Sequence, residues 1–329
     1  MSNVRINVLL GLAALVAILA ACALGSTPMA FSRIVAALVG QSTPGDIIVV
    51  WEIRLPRALA AFVVGMALGA SGAALQGLLR NPLADPGVLG VTASSSLAAT
   101  FALYYGLTAA SAFLLPVFAI LGALAATLLM ATAAVRVQSV VTLILIGVGL
   151  SSFAGATMSL LLNLAPNPFS LSDMINWMLG SVANRSLDDL KFVLPFIVVG
   201  FAILLLSRRG LTALTLGEEA ASGLGLNLKR QRTAIVLGAG LATGAAVALA
   251  GAIGFVGIVA PHVVRPLVNY DPARTLVPSA LLAGLILVLA DIGVRLMPTS
   301  SELKLGVVAA LIGAPAFVWI AMQRRTSYG

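Results

Sequence analysis

The sequence predicts an all-α, polytopic membrane protein with about ten transmembrane helices. Hydrophobic residues make up 60% of the 329 residues, and charged residues only 9%. A water-soluble domain could not cover its surface with so few charges, so most of this surface must face hydrocarbon. Backbone inside a bilayer must satisfy its own hydrogen bonds, and the strand-like alternation of a membrane barrel is missing from the sequence. The spans are therefore predicted to be helices.

Ten apolar stretches approach the roughly 20 residues that a helical span needs. They cover residues 7–26, 57–78, 88–108, 112–135, 139–163, 190–207, 233–253, 254–268, 276–297 and 305–323. The eighth stretch is short, and the sequence does not define its boundary with the seventh. Because the stretches recur along the whole chain, residues 1–329 are expected to form a single transmembrane domain.

The first stretch has some features of a cleaved leader. Arg5 precedes an apolar run that ends in "LAAC", Leu19–Cys22, which looks like a lipoprotein-type cleavage site. The run continues past Cys22 to Leu24, and nothing downstream resembles a soluble secreted domain, so an uncleaved first helix is expected. Cys22 is the only cysteine, which excludes an intrachain disulfide and a cysteine metal cluster.

The basic residues predict the orientation in the membrane, because Lys and Arg stay preferentially in the cytoplasm. With the N-terminus inside and ten spans, twelve basic residues and four acids lie in the cytoplasmic loops. Seven basic residues and seven acids lie outside, so the whole net charge of +8 is on one face. The basic character therefore reports topology and contact with anionic lipid, and no nucleic-acid partner is expected.

The most polar stretch, "LGEEAASGLGLNLKRQR" at 216–232, lies in a predicted cytoplasmic loop. Glu218 and Glu219 are placed in a first helical turn, where the helix dipole favours acids. Small residues follow, and Gly225 stands where a C-cap would end the helix. The residues leave two readings open: a short helix that seats in a groove of another protein, or a solvated connector.

Residues that could carry catalysis are scarce. No G-x-x-x-x-G-K-[ST] phosphate loop is present, so the chain cannot hydrolyse nucleotide by that route. His262 is the only histidine and is expected to pack near a helix end, since no second histidine or cysteine could complete a metal site with it. Ser94, Ser95 and Ser96 have no histidine in the same motif. We expect neither an enzyme active site nor a cofactor bound by this chain.

Four long motifs carry a resemblance to a known family. They are "RLPRALAAFVVGMALGASGAALQGLLRNPLADPGVLGV" (54–91), "LGEEAASGLGLN" (216–227), "GAIGFVGIVAPHVVRPLVNYDPARTLVPSALLAGLILVLADIGVRL" (251–296) and "LGVVAALIGAPAFVWI" (305–320). The chain resembles the permease subunits of the iron-chelate and cobalamin ABC importers. The resemblance implies a homodimer in the bacterial inner membrane, with the translocation path along its axis. It also implies two cytoplasmic ATPase subunits, which bind ATP and Mg²⁺, and a periplasmic binding protein.

The resemblance also assigns roles to particular residues. In that family the loop after the sixth span supplies a coupling helix, here 216–225, that docks on the ATPase. Its predicted contact residues are Gly217, Glu218, Glu219, Ala220, Ala221, Gly223, Leu224 and Gly225. The loop "RNPLADPG" matches the cytoplasmic gate, and the predicted gate residues are Asn81, Pro82 and Leu83. Pro82, Pro86 and Gly87 suit a fixed turn there, and the small residues of 65–77 suit close packing in the bundle.

Three arginines are predicted on the periplasmic side, where the positive-inside rule disfavours them. Arg54 and Arg57 precede the predicted second span, and Arg295 ends the ninth. In the resembling family, arginines in these motifs receive acidic residues of the binding protein. The alternative is local pairing of Glu52 with Arg54 and of Asp291 with Arg295.

The substrate is the least determined part of the sequence prediction. Arg185 lies in a predicted periplasmic segment, where it could meet carboxylates of an incoming chelate or pair locally with Asp188 or Asp189. We expect an iron chelate, either a siderophore or heme, with cobalamin as the alternative. An ion-coupled secondary transporter is a more remote alternative, since Asp291 is the only acid well inside a span. In the segment before the last span, Lys304 stands where the resembling permease family commonly has proline.

Overall fold

The computed structural model describes residues 3–25, 29–137, 139–298 and 302–323. Within those ranges the chain is helical and has no β-strand. The first eight helices are α1 (Asn3–Ala23), α2 (Phe31–Leu38), α3 (Pro44–Ile48), α4 (Leu55–Leu78), α5 (Val91–Tyr104), α6 (Leu114–Arg136), α7 (Val140–Asn163) and α8 (Pro168–Met178). The others are α9 (Leu187–Leu206), α10 (Arg208–Ala213), α11 (Glu218–Gly223), α12 (Leu228–Ala250), α13 (Val256–Val264), α14 (Pro272–Leu296) and α15 (Leu305–Gln323).

The predicted fold class is confirmed, because each of the ten predicted stretches contains one helix. Among the described residues, seven helical segments are long and apolar enough to cross a membrane, and these contain α1, α4, α6, α7, α9, α12 and α14. Of the other three, α13 and α15 belong to shorter apolar helices, and α5 is a helix of 14 residues. The protein is therefore an all-α, multi-pass membrane protein.

The second membrane helix begins earlier than the sequence predicted. The helical segment runs without a break from Pro44 to Leu78 and contains a π-helical stretch at Val49–Arg54. Thr43 caps its start by accepting a hydrogen bond from the Asp46 N–H at 3.3 Å. Arg54 therefore lies within this helical segment and does not precede it. The prediction failed here because charges in the first turns of a helix resemble a loop in the sequence.

The predicted close packing of 65–77 is confirmed. Helix α4 packs along α14, and a side chain at Gly65 or Gly69 would collide with the α14 backbone, at the carbonyls of Ala283 and Ser279. Only glycine allows the two backbones to approach this closely. Most residues of α4 and α12 are buried, whereas α7 is mostly exposed, so α4 and α12 form the centre of the subunit.

The structure also defines the boundary between the seventh and eighth stretches. Helix α12 ends at Ala250, and an irregular segment at 251–255 leads into the nine-residue helix α13. The Ser181 N–H, in the segment after α8, donates to the carbonyl oxygen of Ala250 at 2.7 Å. Backbone groups freed by the break in the helix are thus partly satisfied by a neighbouring segment.

The two ends of the bundle carry the residues that the charge pattern assigned to opposite faces. Arg80, Thr215 and Arg265, all predicted to be cytoplasmic, line one cavity. Arg57 and Glu302, both predicted to be periplasmic, line another. The predicted topology and the fold therefore agree on which loops share an end.

Candidate functional site

The predicted coupling helix is present as α11, and its C-terminal cap has the predicted form. Gly225 has a φ of +88°, a left-handed conformation that favours glycine. The Leu226 N–H donates to the Ala221 carbonyl at 3.0 Å, and the Gly225 N–H donates to the Ser222 carbonyl at 2.9 Å. This pair of hydrogen bonds is the Schellman motif, which ends a helix sharply.

An ion pair with a buried arginine fixes α11 to the membrane helices. The Arg232 Nη2 of α12 lies 2.6 Å from Oε1 and 2.7 Å from Oε2 of Glu218. Arg232 is buried, and its Nη1 also donates to the Val137 carbonyl at 3.4 Å. Ala221 on the inner side of α11 is fully buried. The helix is therefore held by a charge pair and an apolar contact, so a solvated connector describes it poorly.

The outer face of α11 is open. Glu219, Ala220 and Gly223 are exposed, as are the large apolar side chains of Leu216 and Leu224, at 64% and 70%. A Cβ added at Gly223 would meet nothing within 4 Å. Two exposed leucines flanking small residues are a surface that a partner's groove could cover.

The predicted gate loop forms a fixed turn. The Asn81 side chain accepts a hydrogen bond from the Leu83 N–H at 3.0 Å, and the Asn81 carbonyl accepts one from the Ala84 N–H at 3.2 Å. Pro82 is buried and Leu83 is half-buried. Asp85 then caps the 3-10 helix 86–89. Burial raises the pKa of the Asp85 carboxyl, and the Gly87 N–H, 2.8 Å from its Oδ1, acts in the opposite direction.

Gln76 ties the gate loop to two membrane helices. Its Nε2 donates to the carbonyls of Ala84 in the gate loop and Gly257 in α13, both at 3.2 Å. Its Oε1 accepts a hydrogen bond from Arg265. Gln76 is buried on α4, so a movement of α13 relative to α4 would act directly on the predicted gate loop.

At the periplasmic end, two of the predicted docking arginines cap helix α1. The Arg54 Nη1 donates to the carbonyls of Cys22 at 2.8 Å and Ala23 at 3.0 Å. The Arg295 Nη1 donates to the carbonyls of Ala21 at 3.0 Å and Leu24 at 3.2 Å. The last carbonyls of a helix have no partner within it, so these arginines stabilise the end of α1.

The third predicted docking arginine joins α4 to α14. The Arg57 Nε lies 3.0 Å and 3.1 Å from the two carboxylate oxygens of Asp291, and its Nη2 pairs with Glu302. The predicted local pair of Asp291 with Arg295 is also present, at 3.1 Å. The sequence therefore identified one partner of Asp291 and missed the other. Docking of a binding protein on these arginines stays a prediction.

Arg185 is not paired with the acids beside it in the sequence. Its guanidinium carbon lies 5.6 Å from the ring centroid of Trp177. Asp188 binds Lys191 at 2.8 Å, and the Asp189 side chain accepts hydrogen bonds from the Ser186 N–H and Oγ–H, both at 2.9 Å. The local-pairing alternative is therefore not formed by these side chains.

Metal ligation has no support among the described residues. No group of three or more His, Cys, Asp or Glu side chains lies close enough to hold an ion in those parts of the chain. His262 lies half-buried in the last turn of α13, at the helix end where the sequence placed it.

Three residues of these sites were missed by sequence reasoning. The sequence identifies Arg232 only as one of the basic residues in the cytoplasmic loops, and no pattern in it singles out Trp177. Gln76 offered a usable signal, since an amide within a membrane span needs buried partners. No pattern in the sequence indicates that Arg232 contacts Glu218, because Arg232 is one of several polar residues in a row and nothing distinguishes it from the others.

Comparisons with known proteins agree with this architecture. A profile of the FecCD transport family matches residues 13–323. The chain is 40% identical over 291 residues to YvrB of Bacillus subtilis, an uncharacterized ABC transporter permease protein, covering 87% of this chain and 82% of YvrB. It is 39% identical over 277 residues to BtuC of Citrobacter koseri, a vitamin B12 import system permease protein, covering 84% of this chain and 83% of BtuC.

A solved structure gives the same result for the fold. The chain superimposes with a TM-score of 0.84 and 30% identity on a protein described as an inward-facing metal-chelate type ABC transporter, covering 98% of this chain and 99% of that one. The family match, the relatives and this superposition define the class of protein as a permease, the transmembrane subunit of an ABC transporter. The chain belongs to the FecCD transport family, and it is a multi-pass protein of the bacterial inner membrane. In this family the ATPase is a separate subunit.

Proposed function

We propose that the chain forms a homodimeric permease that imports an iron chelate, a siderophore or heme, from the periplasm to the cytoplasm. ATP hydrolysis on two partner subunits drives the transport. The observation that carries the proposal is α11, which the Glu218–Arg232 pair fixes to α12 while Leu216 and Leu224 remain exposed. A helix held rigidly on one side and open on the other can transmit a partner's movement to the bundle.

The proposed route from the ATPase to the gate follows contacts of the described residues. Arg232 of α12 binds Glu218 of α11, so a displacement of α11 would be transmitted to α12. Helix α12 packs against α4, which carries Gln76 and leads into the loop of the gate residues Asn81, Pro82 and Leu83. These helices could therefore pack in two alternative arrangements, one with the cytoplasmic gate open and one with it closed.

The mostly exposed helix α7 supports the homodimer. Gly149, Ser152 and Ser159 are exposed on it, although the helix is long and apolar enough to span the membrane. Glycine and hydroxyl side chains at membrane depth suit a helix–helix contact or a path for solute better than contact with lipid. We therefore place α7 at the dimer axis.

The docking site of the periplasmic binding protein is proposed at the cluster of Arg54, Arg57 and Arg295. Arg57 and Arg295 expose only 12% and 10% of their side chains, whereas their neighbour Glu302 exposes 41%. We propose that Glu302 forms an ion pair with Arg57 in the undocked permease, and that a carboxylate of the binding protein replaces Glu302 on docking. An exchange of one carboxylate for another needs little rearrangement of the arginine.

Two substrate classes are supported by different observations. The relationship to a protein of 30% identity described as a metal-chelate type transporter favours a metal chelate, the class to which the proposed iron chelate belongs. The vitamin B12 permease of Citrobacter koseri, at 39% identity, favours cobalamin as the second candidate. Cobalamin is a bulky, largely uncharged corrinoid, whereas many iron chelates are anionic, so the charge of the substrate separates the two.

Uptake of each candidate substrate in separate assays tests the substrate class. The permease is reconstituted in proteoliposomes with its ATPase and binding protein, and iron-labelled siderophore, heme and labelled cobalamin are offered in turn. We expect ATP-dependent accumulation of an iron chelate. Accumulation of cobalamin with none of the iron chelates would overturn the iron assignment and establish the second candidate. The same vesicles without ATP are the control.

A further inference from the structure

A polar cavity of about 260 Å³ opens at the periplasmic end of the subunit. Its base is formed by the periplasmic ends of α5, α6 and α12, and its walls by the C-terminal half of α8, the segment after it, and the residue before α15. The polar side chains that line it include Asp173, Asn176, Trp177, Arg185 and Lys304. It lies apart from the arginine cluster proposed for docking.

Two buried donors on the cavity wall have no acceptor. The Nε of Arg185 and the Nε1 of Trp177 are both shielded from solvent, and neither makes a hydrogen bond with any part of the chain that the structure describes. Trp177 as a whole is only 6% exposed. Buried donors in native proteins are almost always paired, so two on one cavity indicate an acceptor from outside the chain.

The two cationic side chains of the cavity favour an anionic ligand. Arg185 stacks on Trp177, and Lys304 adds a second cation. Asp188 and Asp189 are engaged by Lys191 and Ser186, and Asp173 is exposed. Burial lowers the pKa of the Arg185 guanidinium, and Asp189 offsets this only in part, so the desolvated cation lacks a close carboxylate.

An apolar groove of about 420 Å³ adjoins the polar cavity. The same three segments contribute to both the cavity and the groove. Trp177, Ala250 and Lys304 line the cavity, and Met178, Ala252 and Gly306 line the groove. Phe255 completes the groove from the break before α13. A ligand with a charged end and an apolar body could therefore occupy both at once.

We propose that the cavity is an anion subsite, which receives a carboxylate of the transported chelate. Arg185 and Trp177 donate hydrogen bonds to the carboxylate, Lys304 supplies further charge, and the groove holds the apolar body. The inference rests on the proposed function and narrows its substrate class to chelates that carry a free carboxylate.

A fluorescence titration tests the site directly. The full-length permease, in nanodiscs of uncharged lipid, carries Trp51→Phe and Trp319→Phe, so that Trp177 is the only tryptophan. Citrate is the probe, and its trimethyl ester is the neutral control. We expect a saturable change in Trp177 fluorescence with citrate and none with the ester. Arg185→Gln and Lys304→Gln should each weaken the response at least about tenfold, as is typical when a charge-assisted pair is lost.

The matched control is Lys191→Gln, which removes a cation from the same face. The Lys191 side chain is 73% exposed and lies outside the cavity, so this variant should bind citrate as the parent does. The charge-conserving Arg185→Lys should retain part of the response. The proposal is overturned if citrate gives no response, if the ester acts like citrate, or if Lys191→Gln weakens binding as much as Arg185→Gln.

Uptake by the complete complex separates this inference from the proposed function. With a carboxylate chelate, Arg185→Gln should raise the KM for uptake while leaving ATP dependence unchanged. Normal uptake by Arg185→Gln would overturn the subsite and leave the importer intact. Citrate binding by a permease that transports no chelate in any complex would refute the proposed function instead.

Discussion

Glu218 at the start of α11 and Arg232 on α12 form a bidentate ion pair, with the arginine Nη2 2.6 Å and 2.7 Å from the two carboxylate oxygens. The arginine is 5% exposed, and the glutamate side chain 37%. A pair with one buried member constrains geometry far more than a pair in open solvent does. The segment proposed to face the ATPase is therefore coupled rigidly to a central membrane helix.

Replacement of Gly223 by tryptophan should uncouple transport. A Cβ at this position meets nothing within 4 Å in the subunit, and residue 223 is exposed, so folding and membrane insertion should be normal. It would stand in the surface proposed to seat on the ATPase, and we expect docking to weaken by about tenfold or more, as at a central interface position. Co-purification with the ATPase and ATP-driven uptake measure the effect.

The matched control for that substitution is Gly45→Trp. Gly45 also has open space around it, but it lies in α3 at the opposite end of the subunit. The coupling assignment is wrong if Gly223→Trp transports normally and still co-purifies with its ATPase.

Cysteines in the gate loop should crosslink across the dimer. In a Cys22→Ala background, which removes the only cysteine, Asn81→Cys or Leu83→Cys should form a disulfide between subunits in at least one nucleotide state. Such a bond requires Cα atoms within about 7 Å of each other. Non-reducing electrophoresis reports it, and Lys229→Cys, exposed beside α11, is the control. A functional transporter that crosslinks in no nucleotide state would count against the gate.

Asp85→Asn should raise the thermal stability of the permease at neutral pH. The folded protein raises the pKa of this carboxyl through burial, so ionisation costs more in the folded than in the unfolded state. Asparagine keeps an acceptor for the Gly87 N–H and removes the charge. The gain should be present near pH 7 and vanish below about pH 4, where aspartate itself is protonated. Thermal unfolding in detergent measures it.

The same unfolding experiment supplies the counter-test for Asp85. Asp85→Ala lacks both the charge and the cap, so it should fall below Asp85→Asn by roughly 1 kcal/mol, the usual value of a side-chain cap. Equal stability of the two variants would show that the hydrogen bond to Gly87 contributes nothing.

Glu302→Gln and Arg57→Gln should change docking of the binding protein in opposite directions. Glu302→Gln frees Arg57 for an incoming carboxylate and should tighten docking, whereas Arg57→Gln should weaken it. Both effects should shrink as salt rises. The affinity of the binding protein for each variant is measured at low salt. Glu52→Gln, which removes an exposed acid from the same end, is the control. If Arg57→Gln binds normally, the cluster only supports α1 and α14.

The sequence was sufficient for features that depend on local patterns. Membrane helices follow from apolar length, the C-cap at Gly225 from glycine spacing, and the turn at Asn81–Pro82 from residues with restricted backbones. Contacts between distant residues could not be predicted in this way. Asp291 has a candidate partner four residues away in Arg295, but nothing local indicates Arg57, which is 234 residues away.

The burial of charged residues was also beyond sequence reasoning. Arg232 belongs to a run of polar residues, and its direction depends on how α11 packs against the start of α12. The same limit applies to Arg185, whose neighbours Asp188 and Asp189 looked like its natural partners. Only the packing of α8 brings Trp177 beneath the guanidinium.

ATP-driven uptake into proteoliposomes tests the central claim most directly. The permease, its ATPase and its binding protein are reconstituted together, and accumulation of an iron chelate is followed with and without ATP, before and after the proton gradient is collapsed with an uncoupler. The account predicts accumulation that requires ATP hydrolysis and persists without the gradient. Accumulation that ignores ATP and disappears with the gradient would contradict it, and would identify an ion-coupled carrier.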